Sequence, residues 1–119
     1  MSKQEIKIIT KIIRELSFFL MIHGHKDFQL ETQNDPETTS IFIRLKQPKE
    51  EFLKHMQEKL NREREMEVET YGWELLGDID EQSDFAILGS LIDEMTYRKD
   101  NDEVIIKLIR TNRYADEKK

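Results

Sequence analysis

Few residues in this chain combine a reactive type with a useful spacing. The foremost are His23-Gly24-His25, Glu15 and the adjacent acids Asp93-Glu94. Alternate histidines suit zinc, but a zinc site takes three or four ligands. The only other histidine is His55, and nothing in the sequence places it nearby. A polar helix end is the simpler use of the pair, and the spacing of His23 from Leu16 and Phe19 also lets it face a core. General-base catalysis by Glu15 would need a partner group that the sequence does not offer, so solvation or ion pairing accounts for it better. Neighbouring helical residues point in different directions, so Asp93 and Glu94 do not form an acid–base pair. Asp93 is expected to bond to the turn that follows it. The sequence has no glycine-rich phosphate loop, no Ser-His-Asp order and no cysteine. It therefore points to no catalytic, cofactor-binding or metal-binding residue.

Tyr71 and Trp73 flank Gly72 beside Leu75 and Leu76. Core packing is the ordinary use of such a cluster. The sharper use is a partner-binding surface of Tyr71, Trp73 and Leu76, because Trp and Tyr dominate binding hot spots. The charge run "NREREMEVE" just before it reads as a solvated helix end or loop.

Composition narrows the classes. A chain of 119 residues suits one domain with a real core. Hydrophobic and charged residues each make up 37%, and the apolar ones are large and clustered, which fits a globular chain. A net charge of −6 argues against nucleic acid and against an anionic membrane surface, both of which attract surplus Lys and Arg. The longest apolar run, Phe18 to Ile22, is far too short to span a bilayer. The opening "MSKQEIKIIT" lacks the continuous apolar stretch of a signal peptide, and the lack of cysteine fits the cytoplasm.

The elements that must position these residues follow from periodicity. Ser2 and Glu5 have capping-box spacing. Ile6, Ile9, Ile13, Leu16 and Leu20, widened by Ile12 and Phe19, predict a helix that Gly24 stops. Phe28, Leu30 and Thr32 alternate into an Asn34-Asp35-Pro36-Glu37 turn, followed by Ile41, Ile43 and Leu45, with Phe42 on the opposite side. Pro48 is placed in the first turn of a second helix carrying Phe52, Leu53, Met56 and Leu60. A short helical turn around Trp73 and an acidic loop over 77–83 come next. Phe85, Leu88, Leu91, Ile92 and Met95 then predict a third long helix capped by Ser83 or Asp84. A strand over 96–99, an Asp100-Asn101-Asp102 turn and a last strand with Val104, Ile106 and Leu108 on one side complete the order. Ile105 and Ile109 on its other side predict a central position. The architecture expected is α+β: a two-layer sandwich with helices on one face of a mixed four-stranded sheet. The domain is expected over 1–111, with a charged, fraying tail over 112–119.

Two stretches resemble the histidine-kinase-like ATPase fold in the form used by bacterial anti-sigma factor kinases. "IIRELSFFLMIHGH", residues 12 to 25, is similar to that family's first conserved helix, and "ILGSLIDEMTYRKDNDEVIIKLIR", residues 87 to 110, to its closing helix and hairpin. The resemblance covers both ends of the chain. It implies a regulatory ATPase scaffold, but the nucleotide motifs do not carry over. Glu15 and Leu16 match, whereas Phe19 stands where the family has its magnesium-binding Asn. Lys46-Gln47-Pro48 stands where an adenine-reading Asp and glycines belong, and Gly89 is the sole glycine in place of a lid. The resemblance thus implies a degenerate, non-catalytic member that acts by binding a protein partner or itself. The alternative is a divergent ATP-binding serine/threonine kinase of the anti-sigma type. That reading would need an Asn or Asp near the nucleotide, and only Asn61, Asp78 and Asp80 are available in the middle of the chain, at no recognisable spacing.

Overall fold

A computed structural model describes residues 1–64 and 88–113. The elements are α1 (Lys3–Ile22), β1 (Phe28–Asn34), β2 (Thr38–Lys46), α2 (Glu50–Arg64), a 3-10 turn at Gly89–Leu91, β3 (Glu94–Asp100) and β4 (Glu103–Thr111). The four strands form one sheet in the order β1-β2-β4-β3. Both helices lie on one side of it, so the α+β two-layer arrangement expected from the sequence is what the chain adopts.

The expectation of a mixed sheet is corrected, because all three pairings are antiparallel. β3 runs in the same sense as β2, but β4 lies between them, so no neighbours are parallel. The pattern that made β4 central holds: it pairs with β2 on one side and β3 on the other.

α1 starts where Ser2 accepts a hydrogen bond from the Glu5 amide, which satisfies one of the donors left over at a helix start. It ends in a Schellman motif: His25 N–H donates to the Leu20 carbonyl, Gly24 N–H donates to Met21, and Gly24 has φ +93°. The buried stripe is Ile8, Ile9, Ile12, Leu16, Phe19 and Leu20. Ile6 was expected on that stripe, yet it is 47% exposed. The helix is rotated to bury Glu5 instead, for the reason given below.

Strand alternation follows the sequence. Ile41, Ile43 and Leu45 of β2 and Val104, Ile106 and Leu108 of β4 face the helices and pack with Leu53, Met56 and Leu60 of α2. At the first hairpin, the Asp35 carboxylate accepts from the amides of Glu37 (2.9 Å) and Thr38 (2.7 Å), the local bonding that makes Asp a turn residue. Those bonds hold its pKa below the usual carboxylate value. The second hairpin needs only Asn101 and Asp102, with Asn101 at φ +61°, a conformation Asn tolerates well.

Three further boundaries differ from expectation. Pro48 precedes α2 rather than sitting in its first turn, and the Lys49 carbonyl accepts the first helical bonds from Phe52 and Leu53. The closing helix does not reach Met95: Leu88 is helical, Gly89–Leu91 tightens to a 3-10 turn, and Ile92 is extended (φ −117°, ψ 136°). Met95 instead points to the core from β3, opposite Leu108. Leu91, Met95 and Tyr97 satisfy helical and strand spacing partly at once, and pairing with β4 decides in favour of the strand. Finally, the first two residues expected to fray are docked: Asn112 N–H donates to the Glu37 carbonyl, and Arg113 N–H donates to Glu5.

Candidate functional site

The side of the sheet turned away from the helices is built by the other half of the strand alternation. The register places its side chains in rows across the four strands. One row runs Gln29, Arg44, Ile105, Arg98; the next runs Glu31, Phe42, Lys107, Thr96; a third runs Gln33, Ser40, Ile109, Glu94. Residues on adjacent strands in such rows are neighbours about 5 Å apart. Part of this surface forms a shallow depression of about 200 Å³ over Phe42 and Ile105, between the carboxamides of β1 and the arginines.

The surface mixes apolar and charged groups in an ordered way. Ile105 is only 9% exposed although no helix lies on its side, because the register sets it between Arg44 and Arg98. Arginine stems shield apolar neighbours while their charged ends stay wet. Arg44 donates to Glu103 at 2.8 Å and lies 3.7 Å from Asp100, contacts that favour its charged form and raise its pKa. Gln33 donates to the Glu31 carboxylate at 2.9 Å. The Lys107 ammonium lies 5.6 Å from the centre of the Phe42 ring, within reach of the ring's negative face. Arg98 is exposed and makes no hydrogen bond or ion pair with the described residues. This is the chemistry of a contact surface: an apolar floor, fixed polar groups and cations still in water.

A second polar cluster is buried on the helix side. Arg110 continues the core-facing alternation of β4 and is 1% exposed. It meets Glu5, which is fully buried, through two bonds: Nε to Oε1 and Nη2 to Oε2, each 3.0 Å. Its Nη1 donates to the Leu91 carbonyl at 2.8 Å. The Arg113 amide adds a bond to Glu5 at 2.9 Å, and its side chain donates to the Ser90 carbonyl and to Asp93. Asp93 also accepts from the Thr111 amide. A buried charge pair of this kind needs such complete bonding to offset its lost hydration. The cluster ties the start of α1, the 3-10 turn and the end of β4 together. It explains the rotation of α1 that exposes Ile6.

The residues singled out in the sequence are dispersed. Tyr71, Trp73 and Leu76 lie outside the described residues. Glu15 is 6% exposed and accepts from Arg14 at 3.0 Å, the pairing that its position on a helix suggested. His23 does not enter the core: it caps the end of α1, bonds the Phe19 carbonyl at 2.8 Å and rests against Phe19 and Phe52. His25 also leans on Phe52, at 4.5 Å between ring centres. His55 stands exposed on α2, and no group of three potential metal ligands occurs among the described residues. Asp93 bonds to the Thr111 amide at the end of β4 and to the Arg113 side chain. Phe19 is part of the core. No helix among the described residues is long and apolar enough to cross a membrane.

Sequence reasoning passed over the outward rows and the buried pair. The rows were visible in part, since Phe42 and Ile105 were assigned to the outer side. The signal for the pair was the continuation of the Val104, Ile106, Leu108 alternation to Arg110, which requires a buried acid somewhere in the chain. No family model matches this chain, and no curated protein or solved structure matches it.

Proposed function

We propose that this chain is a non-catalytic regulatory domain that binds another protein through the sheet face turned away from its helices, and that it acts in the cytoplasm. The observation that carries the reading is the outward surface around Phe42 and Ile105, where two apolar groups on the central strands lie beside Lys107 and the edge-strand Arg98. Rigid aromatic and arginine groups of this kind are the usual anchors of protein interfaces. The regulatory role rests on the resemblance to anti-sigma factor kinases whose nucleotide motifs have been lost. Phe19 in the core and Pro48 directly ahead of α2 agree with that loss. The chain departs from the expected closing helix, so the resemblance contributes a role and not a site.

The test places a photo-crosslinking residue at position 42 in cells, with a control at Met21, which is half exposed on α1. A discrete adduct with one second polypeptide, seen from position 42 and not from position 21, supports the reading. No adduct from position 42 overturns it. Tight, magnesium-dependent ATP binding in a calorimetric titration would instead favour a divergent kinase.

A further inference from the structure

We propose that the open edge of β1, together with the flank of α1 above it, is the contact through which two copies of this chain pair about a two-fold axis. This surface is separate from the Phe42 face, and the inference does not rest on the reading of that face.

The two edges of the sheet differ. α2 overhangs β3: Gln57 donates to the Met95 carbonyl at 3.1 Å, and Glu50 accepts from Tyr97 and lies 3.5 Å from Lys99. On β1, Asp35 N–H donates to the Thr38 carbonyl, so the bonded pairs alternate onward through Gln33–Ser40, Glu31–Phe42 and Gln29–Arg44. The backbone groups of Phe28, Leu30 and Thr32 therefore point away from β2, and they meet no strand among the described residues. Proline, bulges and repeated charges normally guard such an edge. β1 has no proline, keeps an unbroken register with β2, and carries Glu31 as its one charge.

α1 continues this edge upward. Its Phe19 ring stacks on Phe52 of α2 at 5.6 Å, which marks the flank facing α2. The opposite flank overhangs β1 and carries Ile6, Thr10, Ile13, Ser17 and Met21 at helical spacing. Ile6 and Met21 are 47% and 50% exposed, and Ile13, Phe28 and Leu30 are only partly buried. The Thr10 and Ser17 hydroxyls donate to the helix's own carbonyls at Lys7 and Ile13, so the flank needs no polar partner. Lys3, Lys7 and Arg14 stand further round the helix, exposed.

Symmetry selects the occupant, because a two-fold contact must be complementary to itself. An antiparallel second α1 sets Ile6 against Met21, Thr10 against Ser17 and Ile13 against Ile13. The flank is uncharged, so two chains of −6 can meet along it without opposing charges there. β1 agrees. Pairing about Glu31 would oppose two carboxylates, and pairing about Thr32 would set Leu30 against Asn34. Pairing about Leu30 sets Leu30 against Leu30, Phe28 against Thr32 and Gln29 against Glu31. The two centres lie together. Glu5 reaches Arg110, which is paired with Thr39, and residues 23–27 lead directly into Phe28, so Ile13 stands above the middle of β1. The two four-stranded sheets become one, with the α1 helices packed across the axis.

The test is sedimentation velocity of the full chain over a dilution series. A dimer is expected. Leu30→Lys should raise its dissociation constant about tenfold by opposing two ammonium groups across the axis. Thr32→Pro should weaken it too, since it removes an outward N–H that β2 does not use, and thermal melts check that both variants fold. The chain has no cysteine, so single cysteines report the register. Mild oxidation should link two copies of Leu30→Cys, because bonded neighbours across an antiparallel pair stand about 5.5 Å apart at Cα. Gln33→Cys, off the axis, and Thr96→Cys, on the other edge strand, should not link. A chain that is monomeric at every concentration overturns the proposal. So does a dimer that survives both Leu30→Lys and Thr32→Pro, or one that links through Gln33→Cys or Thr96→Cys and not through Leu30→Cys. Crosslinking from Met21 separates this contact from the Phe42 face: an adduct of two copies is expected there, and an adduct with a different polypeptide in its place counts against the proposal.

Discussion

Arg110 and Arg98 stand on adjacent strands of one sheet, and their surroundings differ in nearly every respect. Arg110 points among the helices, is 1% exposed, and has the Glu5 carboxylate and the Leu91 carbonyl within 3.0 Å. Arg98 points the other way into water and makes no bond with the described residues. A charge removed from water must be paired, and losing its partner is costly. A charge left in water loses little by standing alone. The helix side is therefore where polar groups hold the fold together. The outer side pairs Arg44 with Glu103 but leaves Arg98 in water.

Arg110→Ala is the strongest way to break that contrast. It leaves Glu5 buried without its main partner and should destabilise the chain by about 3–5 kcal/mol in urea unfolding. Replacing Glu5 and Arg110 together with Leu and Met should recover most of that loss, because two apolar groups need no pairing. Recovery by the double variant separates the cost of an orphaned charge from the net worth of the pair.

Neighbours on β4 sharpen the comparison without charge. Ile106 is fully buried against the helices, so Ile106→Ala should cost about 2–5 kcal/mol. Ile105 is shielded by arginine stems on the outer side, and Ile105→Ala should cost less, about 1–2 kcal/mol. Equal losses, measured by the same unfolding midpoints, would mean that the outer side is packed as firmly as the inner one.

The rim beside α1 should respond to pH. The His25 imidazole is held below its ordinary value of 6.5, first by burial and then by the neighbouring His23. A lowered histidine pKa favours the neutral ring in the folded state, so its contribution is complete above the unfolded value and fades as pH falls through the folded one. Thermal melts between about pH 7.5 and pH 5 should show a small loss of stability. That loss should shrink in His25→Gln. The smallest effect is expected at Arg98→Ala, within about 0.5 kcal/mol of the parent, since its guanidinium has no bond among the described residues to lose and only the stem beside Ile105 is removed. A larger loss there would show that Arg98 already serves the fold.

Some of this was legible residue by residue. Ser2 as a helix start, Gly24 as a helix stop and Asp35 as a turn residue each act through bonds within a few positions. Alternation along β2 and β4 assigned the inner and outer sides correctly, because a strand places successive side chains on opposite faces whatever it packs against. Other features were not legible. Leu91, Ile92 and Met95 suit a helix by spacing, but Ile92 is extended and Met95 belongs to β3, where β4 supplies the pairing. Ile6 matches the helical stripe as well as Ile8 does, and only the position of Arg110 decides which of the two is buried.

Local chemistry was thus sufficient for the caps, the turns, the strand faces and the α+β class. Those depend on backbone geometry and on hydrogen bonds between near neighbours. The antiparallel order β1-β2-β4-β3, the rotation of α1 and the two kinds of arginine were decided by the tertiary structure. They depend on groups as far apart in the chain as Glu5 and Arg110, and a charge is buried or free only once the elements around it have met.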